Sequence, residues 1–144
     1  MKVQAPFGFA TGCHAGDKFM VQATLASMRR YCPDVPICLT VDGDFDVSDL
    51  EREYDLIVLR VSELSSETMR NLVSGSGRAK LAAMWEGPFE FYVWLDSDAI
   101  VWATLLHRSA PTSIFKFSGA RFPSRQMRPK FHPGCRIFIS IHQS

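Results

Sequence analysis

Short apolar runs alternate along the chain with segments whose apolar residues recur at every third or fourth position. A short apolar run predicts a buried strand, and the longer spacing predicts a helix with one apolar face. Strands are predicted at residues 6–12, 36–41, 55–61, 89–102, 115–120 and 136–141. Helices are predicted at residues 18–31, 48–54 and 76–85, with helical turns within 63–75 and 104–111 and a basic loop at 121–133.

This alternation of strand and helix indicates an α/β fold, a Rossmann-like and mostly parallel sheet with helices on both faces. Asp17 is predicted to cap the first helix, and Ser48 with Glu51 to form a capping box at the second. The carboxyl ends of parallel strands meet at one edge, where ligands of such folds bind. The segments that follow predicted strands at that edge are Thr11-Gly12, Asp42-Gly43-Asp44, Val61-Ser62-Glu63 and Asp96-Ser97-Asp98. We therefore expect the site at this edge.

Two carboxylates interrupt the apolar run FEFYVWLDSDAIVW at residues 89–102. Burying Asp96 and Asp98 on a strand covered on both faces costs free energy unless a positive group meets them. Mn²⁺ or Mg²⁺, with substrate phosphate oxygens completing its coordination, would be such a group. Because residues 99–102 are again apolar, we expect the chain to remain in the core after the acid pair. The alternative is a strand that ends in a solvated Asp-Ser-Asp turn.

Length and composition are those of an ordinary globular protein with one domain, residues 1–144. Hydrophobic residues make up 47% and the net charge is +1, which gives no reason to expect binding to nucleic acid. The four cysteines lack CxxC spacing, so buried free thiols are expected rather than a zinc or redox site. Residues 121–136 are basic, either as a solvated loop or as a phosphate-facing surface. With neither a signal peptide nor a membrane span in the sequence, we expect a cytoplasmic protein.

The order of elements and the acid pair resemble the amino-terminal, nucleotide-sugar-binding half of GT-A fold glycosyltransferases. The acid pair corresponds to that family's DxD motif, and it follows a helix with basic residues, in GSGRAKLAAMWEGPFEFYVWLDSDAIVW. The opening, FATGCHAGDKFMVQATLASMRRYCPDVPICLTVDGD, is similar to the first strand, helix and second strand of such enzymes. The resemblance covers about residues 5–103.

This resemblance implies a UDP-sugar or GDP-sugar donor and a Mn²⁺ or Mg²⁺ cofactor that neutralises charge on the departing nucleoside diphosphate. Asp98 would bind the metal, and Asp96 would contact the metal, a metal-bound water or the ribose. The residues implied in donor binding are Ala10, Thr11, Gly12, Asp42, Arg78, Lys80, Asp96 and Ser97. Asp42 would contact the base unless it only forms an Asp-Gly turn. Either Arg78 or Lys80 would reach the phosphates unless both are solvated.

The acceptor-binding half of such enzymes is expected beyond Ser144, so the sequence predicts no acceptor, general base or stereochemical outcome. Truncation would expose a sheet edge and apolar surface, and self-association is expected from it. Metal-dependent glycosyl transfer is the first functional hypothesis, and a non-catalytic nucleotide- or sugar-phosphate-binding module of the same fold is the alternative. A receiver-type phosphoryl-transfer domain is disfavoured because the first strand ends in Thr11-Gly12 instead of an acid.

Overall fold

The computed structural model describes residues 5–103, 140 and 141, and this part of the chain contains five strands and four α-helices. The strands are β1 (Ala5–Cys13), β2 (Ile37–Val41), β3 (Leu56–Arg60), β4 (Phe89–Leu95) and β5 (Ser140–Ile141). The helices are α1 (Lys18–Tyr31), α2 (Ser48–Tyr54), α3 (Glu67–Val73) and α4 (Ala79–Glu86), with a 3₁₀ turn at Val61–Glu63. The elements predicted at 104–111, 115–120 and 121–133 lie outside the described residues.

The strands form one parallel sheet in the order β3-β2-β1-β4-β5, as the alternation of strand and helix predicts. β1 lies in the centre, where Phe9 pairs with Ile37 of β2 on one side and with Val93 of β4 on the other. Successive strands run outward from β1 to β3, and the chain then crosses to the opposite side of β1 to form β4. The strand order therefore reverses between β1 and β4.

Side chains alternate between the two faces of the sheet, and each face has its own core. The face covered by α1 and α2 includes Phe9, Ile37, Leu39, Val93 and Leu95, against Val21, Leu25 and Met28 of α1. The face covered by α3 and α4 includes Ala10, Cys38, Tyr92 and Trp94, against Ala79, Ala82 and Ala83 of α4. All five residues of β2 are buried, which explains why four of them are apolar.

Two predicted features at helix ends differ in the structure. Val47, not Ser48, is the N-cap of α2, so the predicted capping box is wrong. The carboxylate of Asp46 instead accepts hydrogen bonds from the backbone N and the hydroxyl of Ser48, at 2.9 and 3.1 Å. Asp17 does occupy the N-cap position of α1, but its carboxylate accepts from the backbone N of His14 at 2.7 Å. The Asp17 carboxylate therefore binds a loop amide, whereas the Asp46 carboxylate, one residue before the N-cap, binds the first amide of α2.

Helix α4 begins three residues later than predicted, at Ala79. Gly75 and Gly77 have φ angles of +64° and +67°, in the left-handed region that an α-helix cannot include. Residues 74–78 therefore form a loop, which we call the glycine loop, at the carboxyl edge of the sheet. Helix α3, predicted only as a helical turn, begins where the hydroxyl of Ser66 accepts from the backbone N of Met69.

The described cysteines Cys13, Cys32 and Cys38 are buried free thiols, as expected, and Cys135 lies outside the described residues. Burial, together with the nearby Asp17 carboxylate in the case of Cys13, raises the pKa of Cys13 and of Cys38 to about 12. Neither thiol is therefore an activated nucleophile. Within the described part of the chain, no helix combines the length and the apolar character that crossing a membrane requires.

Arg29 joins the end of α1 to the end of α2. Its guanidinium donates to the carbonyl oxygens of Tyr54 (2.8 Å), Pro33 (3.0 Å), Val35 (2.7 Å) and Asp55 (3.0 Å). Burial lowers the pKa of Arg29, and the nearby Asp55 carboxylate opposes that effect. One side chain thus satisfies four carbonyl groups in two turns that have no ladder partners.

We expect Arg29→Met to lower the free energy of unfolding by about 2–3 kcal/mol, because hydrogen bonds from a charged donor contribute more than neutral ones. The measurement is urea unfolding followed by circular dichroism. Arg30→Met is the matched control, since Arg30 is exposed and only lies over the Tyr31 ring, at 5.8 Å. Equal losses in the two variants would contradict the role given to Arg29.

Candidate functional site

The acid pair lies in a turn rather than within a strand. β4 ends at Leu95, and the backbone N of Ala99 donates to the carbonyl of Asp96 at 3.0 Å, closing a four-residue turn. Asp96 is half-buried and Asp98 is exposed. The expectation that residues 99–102 return to the core is correct for Val101, which is buried, and in part for Ala99, which packs against the same core, but Trp102 is 73% exposed. The backbone therefore has the geometry of the alternative interpretation, a turn at the strand end, in which Asp98 is exposed to solvent and Asp96 only in part.

On the α4 face, the acid pair is tied to the sheet through Trp94. The indole Nε1 of Trp94 donates to Oδ1 of Asp96 at 3.0 Å. The Trp94 ring is buried, and a Cβ placed on Gly12 would lie 3.2 Å from two of its atoms. The same Cβ would lie 3.2 Å from Cβ of Ala79, the first residue of α4. At Gly12, β1, β4 and α4 are thus in close contact, which a side chain at this position would disturb.

Two other residues implied in donor binding are inside the cores. Ala10 and Thr11 are both buried, Ala10 on the α4 face and Thr11 on the α1 face. The hydroxyl of Thr11 has no hydrogen-bond partner among the described residues. In this conformation neither side chain is accessible to a ligand, because a central strand is covered by helices on both faces.

Asp42 follows β2 and is bound to the glycine loop. Its two carboxylate oxygens accept from the backbone N of Gly75, at 2.9 and 3.1 Å. Its own backbone N donates to the carbonyl of Cys13 at 2.9 Å, which joins the ends of β1 and β2. Gly43 has a φ of +114°, so the Asp-Gly turn that the sequence left open is also present. Asp42 is therefore a turn residue and a contact of the glycine loop at once.

The two basic candidates lie where the glycine loop enters α4. Arg78 occupies the N-cap position of α4 and is exposed, whereas Lys80 lies in the first turn and is half-buried. Since Ala79 contacts Gly12, this helix end is close to β1 and to the Trp94 ring. The structure thus brings Gly12, Trp94, Asp96 and the start of α4 together, and it connects Asp42 to them through the glycine loop.

A cleft of about 900 Å³ lies beside Asp42 at the carboxyl ends of β2 and β3. Its walls are the loop after β2, the 3₁₀ turn and one side of α3. Arg60 donates to the carbonyl of Phe45 at 3.3 Å, and Arg70 donates to the carbonyl of Leu64, so both arginines brace the walls. The carboxylates along the cleft are Asp42, Asp44, Asp46 and Glu63. They outnumber the two arginines, so the cleft is negatively charged.

Two segments that the sequence places at this edge, Asp42-Gly43-Asp44 and Val61-Ser62-Glu63, both line the cleft, whereas the wall formed by α3 was not predicted. The spacing of Asp42, Asp44 and Asp46 at alternate positions after a buried strand was the available signal. The acid pair at residues 96–98 does not line this cleft.

The donor set at the acid pair fits a metal that arrives with a substrate. Within residues 5–103, 140 and 141, no three His, Cys, Asp or Glu side chains form a group that could hold a metal ion. Mg²⁺ in nucleotide sites is commonly held by one or two carboxylates, with substrate phosphates and water as its other ligands. Asp96 and Asp98 match that requirement and do not match a metal site made of protein ligands alone.

We expect Gly12→Ala to lower the free energy of unfolding by about 1–3 kcal/mol, because the added methyl must displace Trp94 or the first turn of α4. Near-ultraviolet circular dichroism and urea unfolding measure the change. Gly16→Ala is the comparison, since its Cβ would meet only the exposed His14 ring, and moving that ring would cost no more than its surface hydrogen bond with the backbone N of Gly16, so a smaller loss is expected. Equal stability of Gly12→Ala and the wild type would contradict this packing role.

No family model matches this sequence, and no curated protein matches it at a significant level.

Proposed function

We propose that this chain binds a nucleoside diphosphate sugar at the carboxyl edge of its sheet and serves in glycosyl transfer from it. Mn²⁺ or Mg²⁺ would be held between the donor's phosphates and the carboxylates of Asp96 and Asp98. The observation that carries the proposal is the position of the acid pair, at the end of β4 and beside β1, where the strand order reverses. In open α/β sheets the ligand crevice lies at this point.

The charges near the acid pair suit a diphosphate. Asp98 is exposed at the edge, and Asp96 is held by the Trp94 indole. Arg78 and Lys80, at the start of α4, add positive charge to a helix end whose backbone N–H groups also favour anions. When bound, the metal would stabilise the negative charge of the departing nucleoside diphosphate. The chain's own residues would bind and orient that group.

The cleft beside Asp42 suits the nucleoside. Its volume of about 900 Å³ lies within the range of small-molecule sites, and its excess of carboxylates favours an uncharged group over a phosphate. The half-buried Phe45 provides an apolar surface in the wall. Asp42 would accept a hydrogen bond from the base or ribose in exchange for its bond with Gly75, which lies on an exposed loop.

Binding without catalysis is the second candidate, and one observation favours it. His14 lies in the loop after β1, at the same edge, but both of its ring nitrogens have partners. Nδ1 accepts from the backbone N of Gly16 at 3.1 Å, and Nε2 lies 3.4 Å from a carboxylate oxygen of Asp17. In this conformation both ring nitrogens of His14 are engaged within its own loop, which favours a structural role over that of a general base.

Calorimetric titration of UDP and of GDP, with Mn²⁺ and with EDTA, tests the proposed donor site. We expect one of the two nucleotides to bind only with the metal, and Asp98→Asn to weaken binding by at least about tenfold. Asp34→Asn is the control, since it removes an exposed carboxylate before β2, at the opposite edge of the sheet. The proposal would be contradicted if neither nucleotide bound. It would also be contradicted if the affinity were the same with and without Mn²⁺ and in the Asp98→Asn variant.

Release of UDP or GDP from the corresponding sugar nucleotides separates the enzyme from the binding module. Glycosyl transfer predicts slow release to water by the wild type, and loss of that release in Asp98→Asn. Tight, metal-dependent binding with no release above the buffer rate would favour the binding module.

A further inference from the structure

The backbone of residues 96–101, which we call the acid turn, has left the sheet and needs hydrogen-bond partners elsewhere. Within the turn, the carbonyl of Asp96 accepts from the backbone N of Ala99. The carbonyl of Ser97 and the backbone N of Val101 are instead bonded to α1, through residues 73 and 74 positions earlier in the chain. Two hydroxyl side chains on one face of α1 provide these bonds.

Thr24 is the first of the two, and it is fully buried. A threonine within a helix commonly donates to the carbonyl four residues earlier, which here is that of Met20 at 3.4 Å. The carbonyl of Ser97 is nearer, at 2.8 Å, and receives the hydroxyl proton. Because this carbonyl belongs to the peptide unit that joins Ser97 to Asp98, the bond restrains the backbone that carries the Asp98 carboxylate.

Ser27 holds the far end of the acid turn. Its hydroxyl donates to the carbonyl of Thr24 at 2.7 Å and accepts from the backbone N of Val101 at 3.0 Å. The bond to Thr24 orients the oxygen toward the turn, since a hydroxyl donates once and accepts with its lone pairs. Val101 is buried in the core on the α1 side, so this end is held by packing as well.

The two carboxylates are thus oriented from opposite faces of the sheet. Trp94, on the α4 face, holds the side chain of Asp96, whereas α1 holds the backbone on both sides of Asp98. We infer that Thr24 and Ser27 are positioning residues of the metal–diphosphate site, acting through the acid turn without touching the ligand. This inference rests on the proposed function. Groups that orient metal-binding side chains typically alter metal affinity by about 10- to 100-fold when removed.

Thr24→Val tests the inference, because it replaces the hydroxyl by a methyl group and keeps the shape of the side chain. We expect Mn²⁺-dependent binding of the preferred nucleotide, UDP or GDP, to weaken by about tenfold. Hydrogen exchange of the amides at residues 97–101 should also become faster, with or without nucleotide. Thr24→Ser, which keeps the hydroxyl, should restore both properties, and Ser27→Ala should weaken binding in the same direction.

Val21→Ala is the matched control for loss of stability. Val21 is buried one turn earlier on the same helix and packs in the core, so its truncation leaves a cavity but keeps both bonds to the acid turn. We expect this variant to melt at a lower temperature and to bind the nucleotide as tightly as the wild type.

The outcomes separate the inference from the proposed function. If the wild type binds and Thr24→Val binds equally well, the inference fails and the donor site stands. If Thr24→Val and Val21→Ala weaken binding to the same extent, the effect is one of stability and the inference also fails. If the wild type binds neither nucleotide, the proposed function fails, and the positioning role fails with it.

Discussion

All five described strands run parallel, and this direction governs the rest of the structure. Each link between parallel neighbours must return across a face of the sheet, which places helices on both faces and buries the central strands. The carboxyl ends then share one edge, so loops from distant parts of the sequence meet there. Asp42, the start of α4 and the acid pair are together at that edge for this reason, and the cleft lies beside Asp42.

Close packing at Gly12 fixes the relative positions of the elements that meet at that edge. The Trp94 ring and Ala79 both contact the space where a Cβ would stand, so β1, β4 and α4 are held at short distance. Trp94 can then place its Nε1 on Asp96, while α1 binds the turn from the other face. A single hydrogen bond contributes only about 1 kcal/mol, so an exposed acid turn needs several such restraints to keep one conformation.

The elements were predictable where local pattern and burial agree. Helix α2 has the predicted bounds, and β2, which is buried throughout, begins one residue later than expected. Prediction was wrong where several local groups compete for one partner, as when Asp46 binds Ser48 and displaces the expected capping box. It was only partly correct after the acid pair, because an apolar sequence does not show which side chains find a surface to pack on. Val101 is buried and Ala99 packs beside it, whereas Trp102 is exposed.

The sequence by itself determined the α/β class, the parallel sheet and the edge at which the acid pair and Asp42 lie, because the hydrophobic period and the alternation of strand and helix are local properties of the sequence. Tertiary structure alone decided that Ala10 and Thr11 are buried and that the glycine loop is bound by Asp42. It also decided which helix holds the acid turn. These features depend on distances between residues far apart in the chain, and those distances follow from how the helices pack on the sheet.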